Sequence, residues 1–165
     1  MVILGIDPGS VIVGFSVLER DTKSKSNIRV IDFGCVIAQP GFSTGEKLEE
    51  IHNAVARLIK KHKPDVMSIE NVFFFKNLKT VMPVSQTKGV ILLAAQQQHI
   101  SVMEFTPLQV KMAIAGYGRA EKKQVQKMIE QTLDLSHLDI KKNFRKKDDA
   151  YDAIAIALCA AIKQY

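Results

Sequence analysis

The residues best suited to chemistry in this chain are four acids, Asp7, Glu70, Asp149 and Asp152. Asp149 and Asp152 stand three apart in an apolar run that continues to Ile162, so on a helix they project side by side from a surface otherwise built for burial. Two like charges in that setting call for a cation. Asp7 follows the apolar run Val2–Ile6 and Glu70 follows Val66–Ile69, which puts two further carboxylates at the tips of strand-like segments. Four hard oxygen donors on rigid elements suit a divalent ion of the magnesium type. Bland counterparts exist: Asp7-Pro-Gly is ordinary turn chemistry, and Asp148 with Asp149 could cap a helix and meet its dipole. Asp152, inside the apolar run, has none.

Such a set fits hydrolysis of a phosphodiester. A water must become nucleophilic near neutral pH and the attacking and leaving oxygens need charge stabilisation, which two magnesium ions ~4 Å apart supply together. Asp7, at the tip of the first strand, is the natural bridging ligand, and Glu70, Asp149 and Asp152 complete the shells. Repulsion among the four is expected to raise some of their pKa values without the ion.

The elements that must carry these groups read strand, strand, strand, helix, strand, helix, strand, helix, helix, helix. Val2–Ile6 and Val11–Leu18 are joined by Asp7-Pro-Gly-Ser10, where the Pro-Gly pair suits a type II turn, and a third strand covers Ile28–Ile37, giving an antiparallel meander. Ser43 with Glu46 predicts a capping box, followed by Leu48, Ile51, Val55, Leu58 and Ile59 at helical spacing up to Pro64. After the strand ending at Glu70, a helix is expected from about Ser85 to Gln98, with a centre at Val90–Ala95 apolar on nearly every side, as in a core or a subunit interface. Ser101–Phe105 reads as the fifth strand. Thr106-Pro107 reads as a helix start and Gly116 as its stop, followed by a helix over Ala120–Leu133 and the final helix. The order predicts an α/β fold, a five-stranded mixed sheet of three antiparallel then two parallel strands flanked by helices, in a single domain over residues 1–165.

Charge adds a partner class. Residues 111–147 hold ten Lys or Arg against four Asp or Glu, so this stretch carries the whole net charge of +6. A localised basic stretch is the footprint of a polyanion, though the loop from Lys141 to Lys147 is equally a solvated surface. The three consecutive rings Phe73, Phe74 and Phe75 cannot all enter one core if the strand continues, so at least one is free to meet bases. Cys35 and Cys159 are expected as buried thiols of a reducing compartment. The four histidines show no ligand spacing. No apolar stretch is long enough for a membrane span, and the expected location is cytoplasmic, with no membrane partner.

Taken in order, Gly5-Ile-Asp-Pro-Gly-Ser10, Ile69-Glu-Asn-Val-Phe73 with Lys76-Asn77, Gly118-Arg-Ala-Glu-Lys122 with Gln124-Val125, and Asp149-Ala-Tyr-Asp152 resemble the successive motifs of the RuvC family, bacterial Holliday-junction resolvases of the ribonuclease H-like superfamily. The resemblance implies a homodimeric endonuclease that makes paired symmetric nicks in a four-way DNA junction. It implies Mg2+ as cofactor, two ions per site with Mn2+ able to substitute, held by Asp7, Glu70, Asp149 and Asp152. Basic catalytic residues fall on Lys111 and Lys122, and the DNA-wedging aromatic on Phe73 or Phe74. DNA contacts extend to Lys76, Arg119 and Lys123, and RuvA–RuvB is implied as partner. Two other readings stay open. Ile6-Asp-Pro-Gly-Ser10 also suits the phosphate loop of an actin-like or sugar-kinase ATPase, whose two-domain clamp 165 residues do not supply, and a non-catalytic junction adaptor would keep the basic face without needing four acids.

Overall fold

A computed structural model of the protein describes residues 1–21, 27–71, 78–135 and 147–163. The chain runs β1 (Val2–Asp7), β2 (Ile12–Arg20), β3 (Ile28–Ile37), α1 (Thr44–His62), β4 (Val66–Glu70), α2 (Leu78–Gln97), β5 (Ser101–Phe105), α3 (Pro107–Ala115), α4 (Lys122–Thr132) and α5 (Lys147–Lys163). The strands form one sheet in the order β3-β2-β1-β4-β5. β1, β2 and β3 are antiparallel, and β4 joins β1 and β5 in parallel.

Strand alternation sorts the side chains onto two faces. Leu4, Ile6, Val13, Val17, Met67 and Ile69 point to one face, where they pack against Ile51, Val55 and Ile59 of α1 and Ile91, Ala94 and Ala95 of α2. Ile3, Leu18 and Val66 point to the other, under the almost wholly buried α5, with α3 and α4 outside it. Asp7 is two steps from Gly5 and four from Ile3, and Glu70 four from Val66, so both acids belong to the α5 face.

Local chemistry sets the helix ends. The Glu46 carboxylate accepts from the Ser43 N–H at 2.7 Å and the Ser43 hydroxyl from the Glu46 N–H at 3.4 Å, the reciprocal box expected. Thr106 and Gln109 repeat it at α3, which ends at Gly116 in the left-handed region, φ 67°.

Three expectations change, and one pair of alternatives is narrowed. Helix α2 begins at Leu78 rather than near Ser85 and runs through Pro83, whose fixed φ suits a helix and whose missing N–H costs one main-chain bond near its start; buried Val81 anchors these added turns. The apolar centre of α2 is not enclosed within one chain, because Leu93 is 50% exposed. Gly9 does not adopt the positive φ of a type II turn; instead a Cβ there would collide with the Ile12 carbonyl, so close backbone approach is what requires glycine. Cys159 is buried but Cys35 only half-buried. Among the described residues no helix is long and apolar enough to cross a membrane.

Candidate active site

Asp7 ends β1 between two neighbours that decide what it meets. On the β4 side the last paired residues are Ile6 and Ile69, and the next step sets Glu70 beside Asp7. On the β2 side Asp7 pairs with Gly14. A Cβ on Gly14 would collide with the Asp149 carbonyl, and one on Gly5 with the Ala153 carbonyl and the Ala157 side chain, so two glycines let α5 lie close on the sheet. Two buried serines fix it there. Ser16 Oγ donates to the Ala153 carbonyl at 2.9 Å, and Ser68 Oγ to the Ile156 carbonyl at 2.7 Å. Each bond satisfies a hydroxyl that would otherwise be costly to bury. The first turns of α5, with half-buried Asp149 and Asp152, are thereby held beside the ends of β1 and β4.

The electrostatics show how closely the four acids are grouped. Asp7 is pushed up to about 8, first by burial and then by the charges of Glu70, Asp152 and Asp149, with Lys122 opposing. Glu70 is pushed up to about 7 by burial and by Asp152, against the pull of Lys111 and Lys122. The repulsion expected from the sequence is present, but it is second to desolvation. Among the described residues no three His, Cys, Asp or Glu side chains close into a ready-made metal cage. The donor set is nonetheless all carboxylate and electrostatically coupled, which suits a hard divalent ion that keeps part of its water shell.

Lys122, the first residue of α4, supplies a cation at the site. Its Nζ donates to Asp152 Oδ2 at 2.7 Å and lies 3.7 Å from Asp148 Oδ2. Desolvation pulls the ammonium down, but the hydrogen bond from Lys122 to Asp152 and the charges of Asp152, Asp148 and Asp149 outweigh it, so its pKa rises. Asp152 is also raised, because burial outweighs the help of Lys122. The two partners therefore do not shift as a simple ion pair, and desolvation of the carboxylate is the deciding effect.

Glu70, Asp152, Lys111 and Lys122 ring a cleft of about 250 Å³ over an apolar floor that includes Val110 and Ile156. A larger recess, about 400 Å³, opens around Met1, Arg20 and Arg29 at the opposite end of β1, away from the acids. Lys111 is half-buried on α3, and Arg119 and Lys123 are exposed on the chain leading into and along α4. Phe73, Phe74, Phe75 and Lys76 lie outside the described residues, as do residues 141–146 of the basic loop. Gly14, Ser16 and Ser68 escaped the sequence reading as supports of the site. Their signal was present: small or polar residues at every second position of otherwise apolar strands mark where something packs close.

Comparison with known proteins gives this geometry a family. Residues 3–160 match the family model described as crossover junction endodeoxyribonuclease RuvC. The RuvC of Fusobacterium nucleatum is 45% identical over 158 residues, covering 96% of this chain and 78% of that protein. That of Thermosipho melanesiensis is 43% identical over 163 residues, covering 99% and 98%. Among solved structures, Thermus thermophilus RuvC in complex with Holliday junction substrate superposes with TM-score 0.84 at 29% identity, covering 98% of this chain and 93% of that one. The sheet order and flanking helices are those of the ribonuclease H-like fold anticipated from the motifs. With four acids gathered on one sheet face and a family match spanning nearly the whole length, the chain belongs to the RuvC family of crossover junction endodeoxyribonucleases.

Proposed function

We propose that the protein resolves four-way DNA junctions by hydrolysing one phosphodiester in each of two symmetric strands, in recombination and DNA repair. The observation that carries this is the convergence of Asp7, Glu70, Asp149 and Asp152 at the ends of β1, β4 and α5, where burial and then the three neighbouring carboxylates push Asp7 up to about 8 against the pull of Lys122. In this reading the four acids hold Mg2+, two ions per site, with Mn2+ able to replace it. Once bound, the ions supply a nucleophilic water near neutral pH and stabilise charge on the attacking and leaving oxygens. Lys111 and Lys122 face the same cleft and offer their ammonium groups to the non-bridging phosphate oxygens. The cleft's apolar floor keeps those charges poorly screened. Arg119 and Lys123 neutralise neighbouring phosphates, as does Lys76, while Phe73 or Phe74 opens the junction by wedging between bases.

Two cuts at equivalent positions need two sites related by a two-fold axis. Helix α2 offers the surface: Met82, Gln86, Gly89 and Leu93 recur at helical spacing and are all exposed, and a Cβ at Gly89 would meet nothing within 4 Å. A second copy of the chain laid along that stripe makes a homodimer. RuvA–RuvB is the proposed partner that delivers junctions, and the cytoplasm the proposed location.

A synthetic four-way junction with each strand end-labelled tests the reading. Paired nicks that need Mg2+ or Mn2+ are expected, with a matched linear duplex left intact. Equal cutting of junction and duplex, or cutting in EDTA, would overturn it.

A further inference from the structure

Lys88 sits on α2, yet its ammonium reaches the end of the strand that bears Glu70. Its Nζ donates to Asn71 Oδ1 at 3.0 Å and to Glu104 Oε2 at 2.7 Å, and its side chain is only 13% exposed. Asn71 directly follows Glu70, and its N–H donates to the Phe105 carbonyl at 2.7 Å, continuing the β4–β5 pairing one residue past the strand. Alternation then divides the strand ends between the faces. Glu70 and Phe105 belong to the α5 side, where the cleft is, whereas Asn71 and Glu104 belong to the helix α1/α2 side, where Lys88 holds both.

One charged group thus grips two adjacent strands from behind, at the step after the Glu70 carboxylate. Charge-assisted bonds from a largely buried ammonium are short and directional, so they define a position more tightly than apolar packing does, even with the Glu104 carboxylate 40% exposed. β4 is five residues long and ends at Glu70, so Asn71 is the described residue through which a contact can act on that strand end. Lys88 is also the neighbour of Gly89 in the exposed stripe of α2.

We propose that Lys88 is a positioning residue: through Asn71 and Glu104 it holds the end of β4 so that the Glu70 carboxylate stays in register with Asp7, and it ties that register to α2. The proposal rests on the reading of Glu70 as a metal ligand. Outer groups that orient a ligand typically change metal affinity or activity 10–100-fold when removed, and Lys88 belongs to that class of contact although it lies on the far face of the sheet.

The test uses the full-length protein with Lys88→Met, Lys88→Arg and Asn71→Ala. Lys88→Met keeps the stem and removes the charge, Lys88→Arg keeps a cation able to reach both acceptors, and Asn71→Ala removes one acceptor while sparing the Lys88–Glu104 pair. Three quantities are read: direct Mn2+ titration of the protein without DNA, kcat and half-saturating Mg2+ for cleavage, and junction affinity in EDTA. Lys88→Met should weaken Mn2+ binding and lower kcat by about 10–100-fold while junction affinity stays within about twofold. Asn71→Ala should move the same quantities in the same direction, and Lys88→Arg should return them toward the wild type. Thermal melts fix the folded fraction at the assay temperature. Unchanged Mn2+ affinity in the folded fraction of Lys88→Met or Asn71→Ala would overturn the proposal. If wild-type protein cuts in EDTA, it is the metal reading of Glu70 that fails, which is a separate result.

Discussion

At the scale of single residues, the site is defined by charge held where water is scarce. Asp7 sits at about 8 because burial and three neighbouring acids all favour its protonated form. Asp7→Asn keeps the shape and removes a proposed ligand, so cleavage should fall about 100-fold or more while junction binding persists or tightens. Wild-type rates for this variant under saturating Mg2+ would remove the carboxylate cluster from the chemistry. The raised pKa values also fix the direction of a stability effect. Below the unfolded value near 3.8 both states of the chain keep the Asp7 proton, and above it the unfolded chain releases the proton while the folded one holds it up to about 8. Glu70 behaves likewise from 4.5 to about 7. The metal-free protein is therefore expected to lose stability as pH rises from about 4 to 8 on account of these two groups. An ion that binds the deprotonated site offsets this loss, so Mg2+ should raise the melting temperature more at pH 8 than at pH 6, with proton release on binding. Equal gains at both pH values would show that the ion does not bind these two acids.

At the scale of elements, the acids are only as well placed as α5. That helix rests on Gly5 and Gly14 and is held by the hydroxyls of Ser16 and Ser68. Gly14→Ala should force the start of α5 away from the sheet, costing about 1–3 kcal/mol of stability by overpacking. Because Asp149 moves with the helix, cleavage should fall much further than stability does, on the order of 100-fold for a displacement near 1 Å. Gly45→Ala is the control, since a Cβ there meets nothing within 4 Å and alanine favours the helix. A Gly14→Ala protein that melts lower but cuts normally would detach α5 docking from the site. The same element shows where sequence reading works and where it stops. The capping box at Ser43, the helix start at Thr106, the stop at Gly116 and the order of strands and helices were legible because each depends on residues a few positions apart. The acids at the strand tips were legible for the same reason. The bonds from Ser16 to Ala153 and from Ser68 to Ile156 join positions 137 and 88 residues apart, and no local pattern encodes such a pairing. Gly9 misled because a turn is the commonest role for a glycine after proline, whereas close backbone packing gives it another here.

At the scale of the whole molecule, one active site accounts for one nick, and resolution of a junction requires two. The exposed stripe on α2, with Met82 65% and Leu93 50% exposed, is the surface proposed for a second copy that would supply the other site. Leu93→Asp places a charge at the C-terminal end of that stripe without touching the α1/α2 core, to which α2 contributes Ile91, Ala94 and Ala95. The variant should fold, with its melt independent of protein concentration, and sediment as a monomer at concentrations where wild type is dimeric. In a dimer the two introduced carboxylates, one from each copy, would have to be desolvated, a penalty of several kcal/mol that an interface of this kind does not recover. Its four acids remain intact, so metal binding to the protein alone should match the wild type. What should fail is coordination between cuts: on a supercoiled cruciform, wild type is expected to release linear product from paired nicks within one binding event, whereas Leu93→Asp should accumulate nicked circles. The monomer should also bind junctions more weakly and with a shallower salt dependence, because it brings half the cations to the phosphates. A Leu93→Asp protein that stays dimeric and linearises the cruciform like wild type would move the two-fold axis off α2 and onto another face of the molecule.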